Sequence, residues 1–389
     1  MIMKFIRKEK ARSNLIKAFQ ASETCKKKTK NGRTIYIYPK IVSIRFSDDK
    51  TEYVFILPPG ILPESVQEKL TVFKQVIGRN LELSHDNVKK CVLSLYFKTI
   101  PDNYNYNFEK ISPCVAKMKL PLICGLDINA EFVAIDLAKE AHALLSGETG
   151  SGKSSLLRAV LTTLIQIKEP EELRIHLGDL KRSEMGLFRN KKLIEGVYTT
   201  PNELGPALKK IRKEMQRRGD MLDRQEVNDI TELSEKLPRI LFVIDEVALL
   251  QKEKDIMGII EEISSIGRAL GVHLLLSMQR PDSKILESGA LKNNLRVRIS
   301  GRQSNASNAK VAGVPGVETI GMKQHGRMKI KLDNITEFQA PYIDSAKVKK
   351  ILRDFRVEKP VGIGGLVEGE GIEERKEERE EENILGVLE

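Results

Sequence analysis

The run Gly147-Glu148-Thr149-Gly150-Ser151-Gly152-Lys153-Ser154 constrains this chain more than any other stretch. It follows the apolar segment Ala141–Leu145, which has the length and character of a strand. It precedes Leu156–Leu161, whose Leu157, Val160 and Leu161 fall on one helical face. A glycine-rich loop between a strand and a helix is the setting in which this pattern cradles phosphates. Gly147, Gly150 and Gly152 let the backbone turn its amides inward, and the helix N-terminus adds partial positive charge. Glu148, Thr149, Ser151 and Ser155 complete the phosphate-binding turn. Lys153 is expected to reach the β- and γ-phosphates and Ser154 to place its hydroxyl on Mg²⁺, which makes ATP with Mg²⁺ the expected cofactor pair.

A loop of this kind needs an acidic partner, and Arg239-Ile240-Leu241-Phe242-Val243-Ile244-Asp245-Glu246 supplies one. An apolar run that ends in two carboxylates reads as a buried parallel strand whose carboxyl end meets the phosphates. Asp245 is expected in the Mg²⁺ shell and Glu246 as the group that polarises an attacking water, which argues for hydrolysis beyond simple binding. Further on, Gly267-Arg268-Ala269-Leu270-Gly271 closes a helix and Val272–Met278 forms a buried strand. Gln279 then sits at the ligand-binding edge of a parallel sheet, placed to sense a γ-phosphate.

Taken together with His142–Ser146 before the loop and Glu214-Met215-Gln216-Arg217-Arg218 before the acidic strand, these blocks resemble the FtsK/SpoIIIE family of DNA translocases over about residues 118–345. The resemblance implies a RecA-like P-loop NTPase motor that assembles as a ring, usually a hexamer, and drives double-stranded DNA through its centre. It also implies an arginine finger. Arg268 is one candidate for reaching a neighbouring subunit's γ-phosphate, with Arg298 and Arg302 as rivals, although a helix C-terminal arginine equally complements the macrodipole. Where the family has an Asp-Pro-Lys-like segment, this chain reads Asp179-Leu180-Lys181, which leaves the local role of those residues open. After residue 345 little chain remains for a winged-helix module that reads DNA polarity. The shorter motors of plasmids and integrative elements are therefore the nearer resemblance, with conjugative coupling and a relaxase or membrane-channel partner as its implication.

Charge is unevenly spread. Residues 361–389 carry ten Glu against Arg375, Lys376 and Arg379, so residues 1–360 hold a net +18 where the whole chain is +11. Met1–Lys40 alone contains twelve Lys and Arg against Glu9 and Glu23. A basic body of this size suits a polyanion bound through its phosphates. No stretch has the roughly 18 apolar residues of a bilayer span, and the charged N-terminus is unlike a secretory signal. Cys25, Cys91, Cys114 and Cys124 lack paired or metal-ligand spacing and read as thiols in a reducing compartment. The expected location is cytoplasmic, with recruitment to the membrane by a partner.

Four regions are expected. Residues 1–30 read as a basic helix or flexible arm, and 31–117 as a small α+β domain with strands at Thr34–Tyr38, Tyr53–Leu57 and Cys91–Phe97 and a helix at Val66–Val76. Residues 118–345 read as an α/β motor with a mostly parallel, doubly wound sheet. Its strands are expected at 141–146, 173–178, 239–245, 272–278, 295–300 and 327–332, and a helix at 204–222. Residues 346–389 are a linker and acidic tail. Three functions fit: an ATP-driven DNA translocase, an ATPase energising protein secretion, and a nucleotide-gated DNA-binding or partition factor.

Overall fold

The computed structural model describes residues 2–30, 33–47, 50–86, 88–97, 99–286 and 289–357. The expected acidic tail lies outside the described residues. An N-terminal domain is built on an antiparallel sheet of β3 (Lys40–Phe46), β4 (Lys50–Ile56), β5 (Leu81–His85) and β6 (Lys90–Tyr96), in the order β3-β4-β6-β5. A separate hairpin pairs β1 (Lys26–Lys30) with β2 (Arg33–Ile37). The helix Ile2–Ala21 lays Leu15, Ala18 and Phe19 against Phe55, Phe73 and Leu93, with Phe19 edge-on to both Phe55 and Phe73.

This differs from a separate basic arm over residues 1–30. The apolar residues of that helix recur three to four apart among many lysines and arginines, so its charge conceals a core-facing stripe. Lys26–Lys28 remain exposed, on a strand. The helix expected at Val66–Val76 is two, Pro63–Glu68 and Leu70–Val76, divided at Lys69.

The second domain holds a ten-stranded sheet. Its strands are β7 (Pro121–Leu126), β8 (Phe132–Asp136), β9 (Ala143–Ser146), β10 (Leu173–Asp179), β11 (Ile194–Tyr198), β12 (Arg239–Asp245), β13 (Val272–Met278), β14 (Val297–Gly301), β15 (Arg327–Lys331) and β16 (Ile335–Gln339). They lie in the order β11-β10-β12-β13-β9-β14-β15-β16-β7-β8. The first six neighbours pair in parallel and the remainder antiparallel.

Alternation along the strands feeds two cores. Leu241 and Val243 face one side with Leu156, Val160 and Leu164 of the helix Lys153–Ile167, while Ile240, Phe242 and Ile244 face the other with Leu208, Ile211, Ile259 and Ile263. Helices on both faces make the parallel part doubly wound. The helix Phe108–Val115 puts Ile111 and Val115 into the first of these cores, so the boundary between domains falls near residue 100 rather than at 117. Among the described residues no helix is long and apolar enough to cross a membrane.

Candidate active site at the P-loop

Parallel pairing sets the geometry. β13 lies between β12 and the loop-bearing β9, and the register pairs Ile244 with Leu276 and Ser277 with Leu145. The carboxyl ends of the three strands therefore deliver Asp245, Ser277 and the loop to one edge. Gly147, Gly150 and Gly152 have φ of 150°, 83° and 97°. A Cβ on Gly152 would lie 2.6 Å from Cα of Gly326, so only glycine fits where the loop meets the segment before β15.

That segment braces the loop from one side, where Gly326 N–H donates to the Ser151 carbonyl and His325 Nδ1 lies 2.8 Å from the Gly150 carbonyl. On the other side Glu148 N–H donates to the Arg302 carbonyl, and Arg302 Nη2 donates to Glu148 Oε2 at 2.7 Å. Preorganised amides at a helix N-terminus are the arrangement an anion requires.

Lys153 is buried and donates to Asp245 Oδ1 at 2.7 Å and to Ser277 Oγ at 2.8 Å. Ser277 Oγ donates in turn to Asp245 Oδ1 at 3.1 Å. Ser154 is half-buried beside Lys153 and lines the same cavity, with Thr149 and Gln279. Ser155 spends its hydroxyl on the Pro341 carbonyl at 3.1 Å and on Ile343 N–H at 2.9 Å, which leaves its backbone for phosphate contact.

Ser154 and Asp245 suit a divalent cation that keeps waters and borrows phosphate oxygens. Among the described residues no group of three or more His, Cys, Asp or Glu is placed to hold a metal ion.

Glu246 follows β12 in a left-handed conformation, φ 61°, that an L-residue holds at a cost of about 1 kcal/mol. The turn aims its carboxylate across the sheet edge. Gln279 N–H donates to both carboxylate oxygens at 3.1 and 3.2 Å, and Lys181 Nζ donates to Oε2 at 2.6 Å. Lys181 was not assigned a role from sequence. The β10–β12 register, which pairs Asp179 with Asp245, places it opposite Glu246. Asp179 itself is structural and accepts the backbone N–H groups of Ser183, Glu184 and Met185.

The three arginines separate by environment. Arg298 is buried, donates to the Leu295 and Lys292 carbonyls, and burial lowers its pKa. Arg302 is committed to Glu148 of its own loop. Arg268 is exposed and enters no ion pair among the described residues. It precedes β13, so it stands about 20 Å from its own Gln279 at a strand rise of roughly 3.3 Å per residue.

Two further sequence blocks turn out to be scaffold. Arg218 is buried and donates to Glu214 Oε1 and to the Leu270 and Pro238 carbonyls. His142 Nδ1 accepts the Leu274 N–H, and burial, then the neighbouring His273, hold its pKa down at about 3.

Residues 113–238 match the model of the FtsK/SpoIIIE family. The chain is 31% identical over 223 residues to DNA translocase FtsK of Staphylococcus epidermidis, covering 53% of this chain and 28% of that protein. It is 32% identical over 255 residues to DNA translocase FtsK of Treponema pallidum, covering 62% and 32%. The chain thus spans about a third or less of the length of these curated relatives. Among solved structures it is similar to the pCW3 conjugation coupling protein TcpA with ATPgS, with a TM-score of 0.57 and 25% identity over 88% of this chain and 99% of that one. The cytoplasmic domain of the type VII secretion ATPase EccC of Thermomonospora curvata gives a TM-score of 0.53 and 26% identity over 62% of this chain and 31% of that one.

Proposed function

Since residues 113–238 are an FtsK/SpoIIIE-family domain, we propose that this chain is an ATP-hydrolysing motor that translocates double-stranded DNA through a homo-oligomeric ring, in the transfer of a mobile element. One observation carries the reading: a braced P-loop, its Lys153–Asp245 pair, and Glu246 beside Gln279 converge on the carboxyl edge of one parallel sheet. The likeness to a coupling protein extends over both domains, since it covers 88% of the chain, and this supports conjugative transfer over other uses of the same motor.

In this reading the loop amides and Lys153 hold the ATP phosphates, Ser154 and Asp245 hold Mg²⁺, and Glu246 takes the proton of the attacking water. Gln279 senses the γ-phosphate from the end of β13. The exposed basic residues, Lys26–Lys28 included, supply phosphate contacts to DNA.

The likeness to EccC keeps a second reading, an ATPase for protein secretion. Measuring ATP turnover with duplex DNA, with single strands and without DNA separates the two. The motor gives a rate that duplex raises at least several-fold, whereas a rate indifferent to DNA supports secretion. Glu246→Gln is expected to bind ATP and lose turnover by about 100-fold or more, and Lys153→Ala to lose binding. Normal turnover in Glu246→Gln would assign the base elsewhere.

A further inference from the structure

The cavity at the P-loop does not end at the phosphate amides. It has a volume of about 350 Å³ and runs past Ser154 and Ser155 to a wall made by Asn103, Tyr104, Pro341 and Tyr342. The two halves of that wall come from opposite ends of the second domain and are stitched together. Tyr342 N–H donates to the Tyr104 carbonyl at 2.6 Å, and Tyr106 N–H donates to the Tyr342 carbonyl at 2.9 Å.

The stitch is anchored to the loop's own helix through Ser155, which bonds Pro341 and Ile343 on either side of Tyr342. Tyr104 is fixed edge-on to Phe132, with ring centroids 5.6 Å apart. Pro341 and Ile343 are buried, yet Tyr342 between them is 57% exposed. Among the described residues its ring takes part in no aromatic or cation–π contact. An anchored backbone that presents one unpartnered aromatic ring beside a phosphate site suits a flat heteroaromatic group at the far end of the same ligand.

We propose that Asn103, Tyr104 and Tyr342 form the base subsite of this nucleotide pocket, with Tyr342 stacked on a purine and the Asn103 amide at its hydrogen-bonding edge. The inference rests on the nucleotide reading of the P-loop. Asn matches adenine because its amide offers one donor and one acceptor to the complementary pair on that base. Asn103 and Tyr104 also belong to the connection from the N-terminal domain, whose Ile100 and Pro101 carbonyls are held by Arg327.

Calorimetric titration with ATP and with tripolyphosphate, each with Mg²⁺, tests this in the full chain. Tyr342→Ala is expected to weaken ATP binding by about ten-fold, the scale of one base–aromatic stack, and to leave tripolyphosphate binding unchanged. Tyr342→Phe keeps wild-type affinity for both. Amide exchange at Tyr106 and Tyr342 slows with ATP and not with tripolyphosphate. Wild-type ATP affinity in Tyr342→Ala would overturn the subsite, as would equal loss of both ligands. If Lys153→Ala leaves ATP binding intact, the phosphate reading itself fails and the base subsite falls with it.

Discussion

At the scale of single residues, the Lys181–Glu246 pair bears most directly on turnover. A general base needs a lone pair directed at water, and here both oxygens of Glu246 are engaged, one of them by an ammonium at 2.6 Å. Lys181 is thus placed to restrain the proposed base between turnovers. Lys181→Met is expected to raise ATP hydrolysis without DNA roughly three- to ten-fold, a small part of what general-base catalysis contributes, and to leave ATP affinity unchanged. A steady-state assay decides it, and a fall in rate would show that Lys181 assists Glu246. The sequence displayed both residues but not the pairing. They stand 65 positions apart, and only the β10–β12 register brings them together. The common placement of Lys153, Asp245 and Gln279 at one sheet edge was readable because each sits in a local pattern of loop or strand end. Asn103 and Tyr342 belong to no such pattern.

At the scale of elements, the strands in the middle of the parallel sheet were the legible ones. β12 and β13 lie where expected, at 239–245 and 272–278, because a strand covered on both faces is an apolar run with polar ends. The partly exposed antiparallel strands β8 and β16 were missed, and so was β7, which is buried but opens on Pro121 and carries Gly125. Ile335-Thr336-Glu337-Phe338-Gln339 mixes polar and apolar residues over a length too short to show its period. The long helix Pro201–Gln225 was seen from its stripe, but the reason for Glu214 and Arg218 within it was not. Arg218 ties that helix to the residues just before β12 and β13 through the Pro238 and Leu270 carbonyls. Arg218→Leu would leave these acceptors without a donor and is expected to cost about 2–4 kcal/mol. Urea denaturation checks this, and a midpoint within error of wild type would show that water replaces the guanidinium.

At the scale of the whole molecule, one of the three candidate arginines remains available for a neighbour. Arg298 and Arg302 are bound within their own chain, whereas exposed Arg268 stands at the end of β13 remote from its own pocket. A finger supplied in trans makes hydrolysis depend on assembly. Arg268→Ala is expected to bind ATP and lose turnover by roughly 100-fold or more, at the low end of what such a finger contributes. Mixing it with Lys153→Ala is expected to restore part of the rate, because some interfaces then join an intact pocket to an intact arginine. Specific activity of the wild type is expected to rise with protein concentration. A fully active Arg268→Ala protein would remove this residue from the interface.

The Lys153–Asp245 pair has a consequence for how the pocket fills. A triphosphate that draws Lys153 toward itself leaves Asp245, only 3% exposed, with the Ser277 hydroxyl as its remaining partner. A buried carboxylate without a cation costs several kcal/mol, so a replacement charge has to arrive with the phosphates. Filling the site is then an exchange of one cation for another. With the proposed Mg²⁺ as that charge, nucleotide would strengthen metal binding by the same factor as metal would strengthen nucleotide binding. With both absent, Lys153 is the pocket's own counter-ion for Asp245, so an emptied site would reset without taking an ion from solution.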